Sequence, residues 1–132
     1  MRILVAEDDP VSRRVLEAVL VRLGHECELA QDGEAAWAHF ERAAPDVLIT
    51  DWMMPGLDGP GLCRRIRAAP GDACYVIMLT ALSGDAHTRT AMDAGADDFL
   101  TKPLDRNQLA MRLAVAARLH ALRERVAELE RR

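Results

Sequence analysis

Carboxylates, one hydroxyl and one ammonium follow short apolar segments of this 132-residue chain. The acids are Glu7-Asp8-Asp9 and Asp51, and Thr80 and Lys102 follow two later segments. Clustered carboxylates repel one another unless a cation lies between them, and a site of oxygen ligands suits Mg²⁺. Asp51 beside such an ion could act as a nucleophile towards phosphorus, with Thr80 and Lys102 holding the phosphoryl oxygens. Asp9 precedes a proline and is better explained as a helix N-cap, which leaves Glu7 and Asp8 for the metal.

The elements that must position these residues alternate between strand and helix. Strands are predicted at Ile3–Ala6, Glu26–Ala30, Asp46–Thr50, Tyr75–Leu79 and Asp97–Leu100. Helices are predicted from Pro10 up to Gly24, at Gly33–Ala43, Leu62–Ala69 and Gly84–Ala94, and from Asp105 onward, with a loop at Asp51–Gly61. This alternation predicts an α/β fold with a doubly wound parallel sheet and helices on both faces. Ligands bind such sheets at the carboxyl ends of the strands, where the polar residues above are placed.

Composition excludes several other classes of protein. The longest apolar run, Ala73–Leu79, is far shorter than the ~18 residues of a membrane span, and Ile3–Ala6 is too short for a signal peptide. We therefore expect a cytoplasmic location and no contact with a membrane. A length of 132 residues predicts one domain. The formal net charge of -4 argues against direct nucleic-acid binding. The cysteines and histidines lack metal-ligand spacing, so buried thiols and surface histidines are expected: Cys27, Cys63, Cys74, His25, His39, His87 and His120.

Lys102 is the only lysine among 17 basic residues. An ammonium is a compact point charge, whereas a guanidinium is a broad planar fork. A site that admits one small anion could therefore require lysine at this position, although a single residue could also arise by chance.

Four stretches in this order and spacing are the basis of a family resemblance. They are ILVAEDD at residues 3–9, DWMMPGLDG at 51–59, Thr80-Ala81, and GADDFLTKP at 95–103. Together they resemble the receiver domain of two-component response regulators, over residues 1–120. The resemblance implies five strands in the order 2-1-3-4-5. It also implies a signalling module, not an enzyme in its own right, which takes a phosphoryl group from a histidine kinase or a phosphotransfer protein.

The resemblance assigns a role to each matching residue. Asp51 is the implied phosphoacceptor, Asp8 a direct Mg²⁺ ligand, Glu7 the acid that holds a metal-bound water, and Met53 a ligand through its backbone carbonyl. The implied switch residues and their surroundings are Thr80, Phe99, the small Ala81 and a cis Lys102-Pro103 bond. Met53 and Leu82 match positions that line the route of the hydrolytic water.

The C-terminal helix extends beyond a minimal receiver domain, and residues 121–132 are predicted to form a helical extension. Its apolar residues have the 3.5-residue spacing of a coiled-coil seam: Val115, Leu119, Leu122, Val126 and Leu129. We expect a homodimer through this helix. The alternative is a single amphipathic helix with a solvated, arginine-rich tail.

Two other functions remain open at this point. One is a small phosphatase like the haloacid dehalogenases, which would need an Asp-x-Asp pattern after the first strand, where this chain has Glu7-Asp8-Asp9. The other is an interaction module of receiver shape that is never phosphorylated. The intact set of Asp8, Asp51, Thr80 and Lys102 argues against the second alternative.

Overall fold

The computed structural model describes residues 1–70, 73–82 and 84–132, along which strands and helices alternate. The strands are β1 (Arg2–Ala6), β2 (Glu26–Ala30), β3 (Val47–Asp51), β4 (Tyr75–Thr80) and β5 (Asp98–Thr101). The helices are α1 (Pro10–Arg22), α2 (Gly33–Arg42), α3 (Gly59–Ala68), α4 (Asp85–Asp93) and α5 (Arg106–Glu130). Within this described part of the chain, no helix combines the length and the apolarity needed to cross a membrane.

The strands form one parallel sheet in the order β2-β1-β3-β4-β5, which confirms the predicted order. Ala6 of β1 lies opposite Thr50 of β3, and Thr80 of β4 lies opposite Thr101 of β5. The carboxyl ends of these strands therefore lie at one edge of the sheet.

Helices cover both faces of the sheet. Successive residues of a strand point to opposite faces, and here the residues on both faces are apolar. Leu4 and Val76 belong to the core on one face, and Ile3 and Ile77 to the core on the other. Helices α2, α3 and α4 pack on the first face, while α1 and α5 pack on the second. Burial on both faces explains why β3 and β4 consist of buried residues throughout.

Helix α1 begins as the sequence predicts. The Asp9 side chain accepts a hydrogen bond from the Ser12 amide at 2.9 Å, and Pro10 occupies the first turn. The cap also lowers the pKa of Asp9, chiefly through the hydrogen bond from Ser12. Asp105 caps α5 in the same way, accepting from the amides of Asn107 and Gln108.

Helix α3 begins three residues earlier than predicted, at Gly59, so the loop predicted at Asp51–Gly61 is too long at both ends. Asp58 caps the helix by accepting from the Gly61 amide at 2.8 Å, and Pro60 lies in its first turn. Asp51 is the last residue of β3. A Cβ atom at position 59 would collide with the Asp51 carbonyl oxygen, so glycine allows the helix to start this close to the strand.

The four histidines are half-buried, although the sequence placed them at the surface. Each lies against a residue distant in the sequence; His39, for example, lies 3.0 Å from the Glu28 carboxylate of β2. Cys63 and Cys74 are buried as predicted, whereas Cys27 is half-buried because β2 is an edge strand.

Candidate functional site

Three carboxylates meet where β1 and β3 end. Glu7, Asp8 and Asp51 each offer an oxygen within 4.8 Å of the others. Glu7 and Asp51 are buried, with 1% and 8% of their surface exposed, while Asp8 is exposed. Two acids of the cluster are thus buried and one faces the solvent.

Lys102 follows β5 and places a positive charge beside the two buried acids, Glu7 and Asp51. Its Nζ lies 3.1 Å from Asp51 Oδ2 and 3.2 Å from Glu7 Oε2. Burial acts to lower the pKa of Lys102, but hydrogen bonds and charge from Asp51 and then Glu7 outweigh it and leave the pKa above its ordinary value. The ammonium therefore stays charged at neutral pH. The Lys102-Pro103 peptide bond is cis, as the resemblance implied.

Glu7 has both carboxylate oxygens engaged. Oε1 accepts from the Asp9 amide at 3.2 Å, and Oε2 accepts from Lys102. Burial, followed by the charge of Asp51, raises the pKa of Glu7, against the lowering effects of the Asp9 amide and Lys102. This crowding of negative charge is the electrostatic environment that a bound cation relieves.

The donor set suits Mg²⁺. Three carboxylates and one ammonium leave an excess of negative charge, and carboxylate oxygens are the ligands this ion prefers. The exposed Asp8 keeps the cluster open to water, which Mg²⁺ retains in its coordination shell. Glu7, Asp8 and Asp51 are therefore able to hold such an ion by direct or water-mediated contacts.

Thr80 and Phe99 lie on neighbouring strands beside the acidic cluster. Thr80 is buried, and its hydroxyl oxygen accepts from the Leu82 amide at 3.0 Å, which leaves the hydroxyl proton available for donation. Phe99 is half-buried and packs against the core. Its ring lies 6.4 Å from that of Trp52 in an edge-on arrangement.

Sequence reasoning assigned no role to Trp52, His87 or Arg13. The Trp52 ring contacts Phe99 and also, at 5.6 Å, the ring of His87 on α4. Arg13 donates a hydrogen bond to the Glu7 carbonyl. The position of Trp52 directly after Asp51 was a usable signal, whereas the other two contacts depend on helix placement. Met53 has a side chain that is 64% exposed, and its predicted carbonyl ligand role is untested.

Comparison with known proteins defines the family. Residues 3–114 match the model of the response regulator receiver domain. The chain belongs to this family and is a receiver domain of response regulators. The matched residues include the acidic cluster, so membership of this family argues against the phosphatase alternative.

Individual relatives agree with that membership. The chain is 39% identical over 112 residues to the "Probable transcriptional regulator ycf27" of Porphyridium aerugineum, a match that covers 85% of this chain and 46% of the relative. It is 40% identical over 118 residues to the "Response regulator MprA" of Mycobacterium leprae (strain TN), covering 89% and 51%. The chain thus spans about half the length of these curated relatives.

A solved structure extends the comparison to the site. The receiver domain of a sensor histidine kinase from Pseudomonas aeruginosa PAO1 superposes with a TM-score of 0.78 and 34% identity, over 89% of this chain and 95% of that one. That structure has a magnesium ion coordinated in its active site cleft.

Proposed function

We propose that Asp51 accepts a phosphoryl group, in a Mg²⁺-dependent reaction, from the phosphohistidine of a histidine kinase or a phosphotransfer protein. One observation carries the proposal: the Asp51 carboxylate lies 3.1 Å from the Lys102 ammonium, inside a group of three acids whose oxygens lie within 4.8 Å of one another. Family membership supports the same reading.

The chemistry requires a nucleophile and positive charge around phosphorus. An Asp51 oxygen forms a bond to phosphorus while the bond to the donor imidazole nitrogen breaks, and the electron pair stays on that nitrogen. Lys102 then turns its ammonium towards the phosphoryl oxygens, and Thr80 donates its hydroxyl proton to another. Bound Mg²⁺ supplies further positive charge to these oxygens.

The contacts of Glu7 suggest how the metal roles divide. Both of its oxygens are already engaged, which favours contact through a metal-bound water over direct ligation. Asp8 and Asp51 would then be direct ligands, together with the backbone carbonyl of Met53. This division agrees with the roles that the family resemblance implies.

Intact-mass analysis tests the proposal. Incubation with MgCl₂ and acetyl phosphate should add one phosphoryl group, and Asp51→Asn should abolish the addition. Asp93→Asn, an exposed acid at the end of α4, is the matched control and should label like the wild type. Undiminished labelling of Asp51→Asn would refute the assignment of the phosphoacceptor.

The same experiment addresses the alternative of a receiver-shaped module that is never phosphorylated. Such a module would stay unlabelled in the wild type, with or without MgCl₂. Retained phosphate on Asp51 is therefore the result that separates it from a phosphoacceptor.

We further propose that phosphorylation favours a homodimer joined through α5. Five large apolar residues along this helix are more than half exposed, and all but the first belong to the predicted seam: Met111, Val115, Leu122, Val126 and Leu129. Its buried residues are Leu109, Leu113 and Ala116 in the first half, whereas the second half is mostly exposed and contacts the rest of the protein through Arg123, which donates to the Ala73 carbonyl. A movement of Thr80 and Phe99 would alter the adjoining face of α4 and β5, which offers a second contact.

Several finer assignments stay predictions of the sequence. They are the division into a receiver domain at 1–120 and a helical extension at 121–132, a cytoplasmic location, and the absence of direct contact with nucleic acid or membrane. The relatives are about twice as long as this chain, so the output that phosphorylation controls is also a matter for proposal.

A further inference from the structure

Arg13 reaches back from α1 to the loop that carries the acids. Its Nη1 donates to the Glu7 carbonyl at 2.8 Å and makes a longer contact of 3.5 Å with the Asp8 carbonyl. One guanidinium therefore contacts the main chain of both acidic residues. Arg13 is half-buried, whereas Arg14, the next residue of the same helix, is exposed.

The positive charge of Arg13 is unexpected so close to a site that binds a cation. A positive charge beside the acidic cluster repels an incoming cation and should weaken its binding. The benefit must then come from geometry. Asp8 is exposed, so burial does not fix the position of its backbone. Hydrogen bonds hold the peptides on either side of it at the Glu7 and Asp9 amides, and Arg13 adds contacts to the Glu7 and Asp8 carbonyls.

We propose that Arg13 is a positioning residue that holds the turn between β1 and α1, so that the Asp8 carboxylate faces the cation site. The proposal rests on the Mg²⁺ site of the proposed function. Residues that orient metal ligands in this way commonly change metal affinity by about 10- to 100-fold when removed. A structural role limited to α1 would change the stability of the protein and leave metal affinity alone.

The test is a titration with MgCl₂, monitored by the fluorescence of Trp52. The sequence has two tryptophans, so the titration uses a Trp37→Phe background in which Trp52 alone remains. We expect Arg13→Met to bind Mg²⁺ about tenfold more weakly than the parent. Arg14→Met removes the same charge one residue away, and it should bind Mg²⁺ as tightly as the parent or more tightly. Weaker Mg²⁺ binding in Arg13→Met but not in Arg14→Met would show that position, and not charge, is the role of Arg13.

Equal or tighter Mg²⁺ binding by Arg13→Met would overturn the proposal. If that variant does not fold, as judged by circular dichroism, Arg13→Gln replaces it, because glutamine suits a helix but its amide ends two bonds short of the Nη1 atom that contacts both carbonyls. Weakened binding at an unchanged melting temperature would then support positioning, and unchanged binding would overturn it.

Failure of the proposed function has a different signature. The parent protein would show no saturable response to MgCl₂ and no Mg²⁺-dependent labelling of Asp51, and the Arg13 proposal would be refuted with it. Normal labelling and binding in the parent, with no loss of Mg²⁺ affinity in Arg13→Met or Arg13→Gln, refutes the Arg13 proposal alone.

Discussion

At the scale of single residues, Lys102 shows why a compact cation is needed. Its one nitrogen lies between Asp51 and Glu7, at 3.1 and 3.2 Å, with 26% of the side chain exposed. A guanidinium would spread its donors over a wider plane than this gap between two carboxylates provides. The chain uses arginine at its other 16 basic positions, so the single lysine marks the site.

Replacing Met53 and Leu82 should shorten the lifetime of the phosphorylated state. Both side chains are apolar, and neither can orient a hydrolytic water by hydrogen bonding. Met53 is exposed beside the site, and Leu82 is half-buried next to Thr80. We expect Met53→Asn combined with Leu82→Glu to speed loss of phosphate by about tenfold or more, measured as release of inorganic phosphate from purified phosphoprotein.

Phosphorylated wild type under the same buffer and MgCl₂ concentration is the control. An unchanged decay rate in the double variant would show that these two positions do not control access of water to the phosphoryl group.

Cys27 should react slowly with thiol reagents up to high pH. Burial, and then the charges of Glu17 and Glu28, raise its pKa from 9.0 to about 11. Because only the thiolate reacts, alkylation by iodoacetamide should increase about tenfold for each pH unit well beyond the ordinary value. Peptide mapping by mass spectrometry gives the rate for this cysteine, with glutathione as the reference thiol. A rate that levels off near the ordinary pKa of 9.0 would contradict the expected shift.

At the scale of elements, α4 is the helix least fixed by the core. Of its nine residues, all within the described part of the chain, only Ala91 is buried. Gly84 precedes the helix with a φ of 104° and provides no side-chain cap. Its His87 nevertheless contacts Trp52, the neighbour of Asp51. Few buried contacts make this element the easiest to shift when the site changes its charge.

A second group of contacts ties α3 to the start of β4 and β5. Arg67 donates to the carbonyls of Gly95 and Cys74, at 2.8 and 2.6 Å, and to the Asp97 carboxylate at 2.6 Å. Asp97 in turn accepts from the Val76 amide at 2.8 Å. A Cβ atom at position 95 would lie 2.6 Å from Arg67 Cγ, and Gly95 has a φ of +105°, so glycine is needed there on both counts.

Arg67→Met should therefore destabilise the protein by about 2 kcal/mol, because charged hydrogen bonds are lost and half-buried acceptors remain without their donor. Urea unfolding followed by circular dichroism measures the change. Arg64→Met, on the exposed side of the same helix, is the matched control and should change stability by less than about 0.5 kcal/mol. Equal stability of the two variants would show that the Arg67 contacts contribute nothing net.

At the scale of the whole molecule, α5 is longer than the sheet requires. Its 25 residues span about 37 Å at 1.5 Å per residue. The residues from Asp105 onward include seven arginines and four acids, so this C-terminal segment is basic while the chain as a whole is acidic. An exposed apolar seam on such a helix is explained most simply by a second helix packed against it.

Sedimentation velocity tests the dimer. We expect the phosphorylated wild type to dimerise more tightly than the unmodified protein. Leu122→Asp combined with Leu129→Asp should weaken dimerisation by at least about tenfold, because charge would enter the apolar seam. Asp51 labelling should be unaffected. Glu124→Gln, an exposed position on the same helix, serves as the control.

A wild type that stays monomeric at high concentration in both phosphorylation states would contradict the dimer. The extension would then be a solvated helix.

The sequence alone determined the order of the elements and the members of the acidic site. Alternation of apolar segments with helical periodicity predicted a parallel sheet. Since parallel strands end at one edge, the residues that follow them must meet, and Asp8, Asp51 and Lys102 do. The helix cap Asp9 was also predictable from the sequence, because a cap acts within three residues of its own position.

Tertiary structure alone decided contacts between groups that no spacing rule relates. The early start of α3 depends on how closely Gly59 approaches Asp51, and the half-buried histidines depend on which helix lies beside them. The Trp52 contacts with Phe99 and His87 join the loop after β3 to β5 and α4. Periodicity reports which face of an element is apolar, but the rotation and spacing of packed helices fix which side chains touch, and these are set by the whole core together.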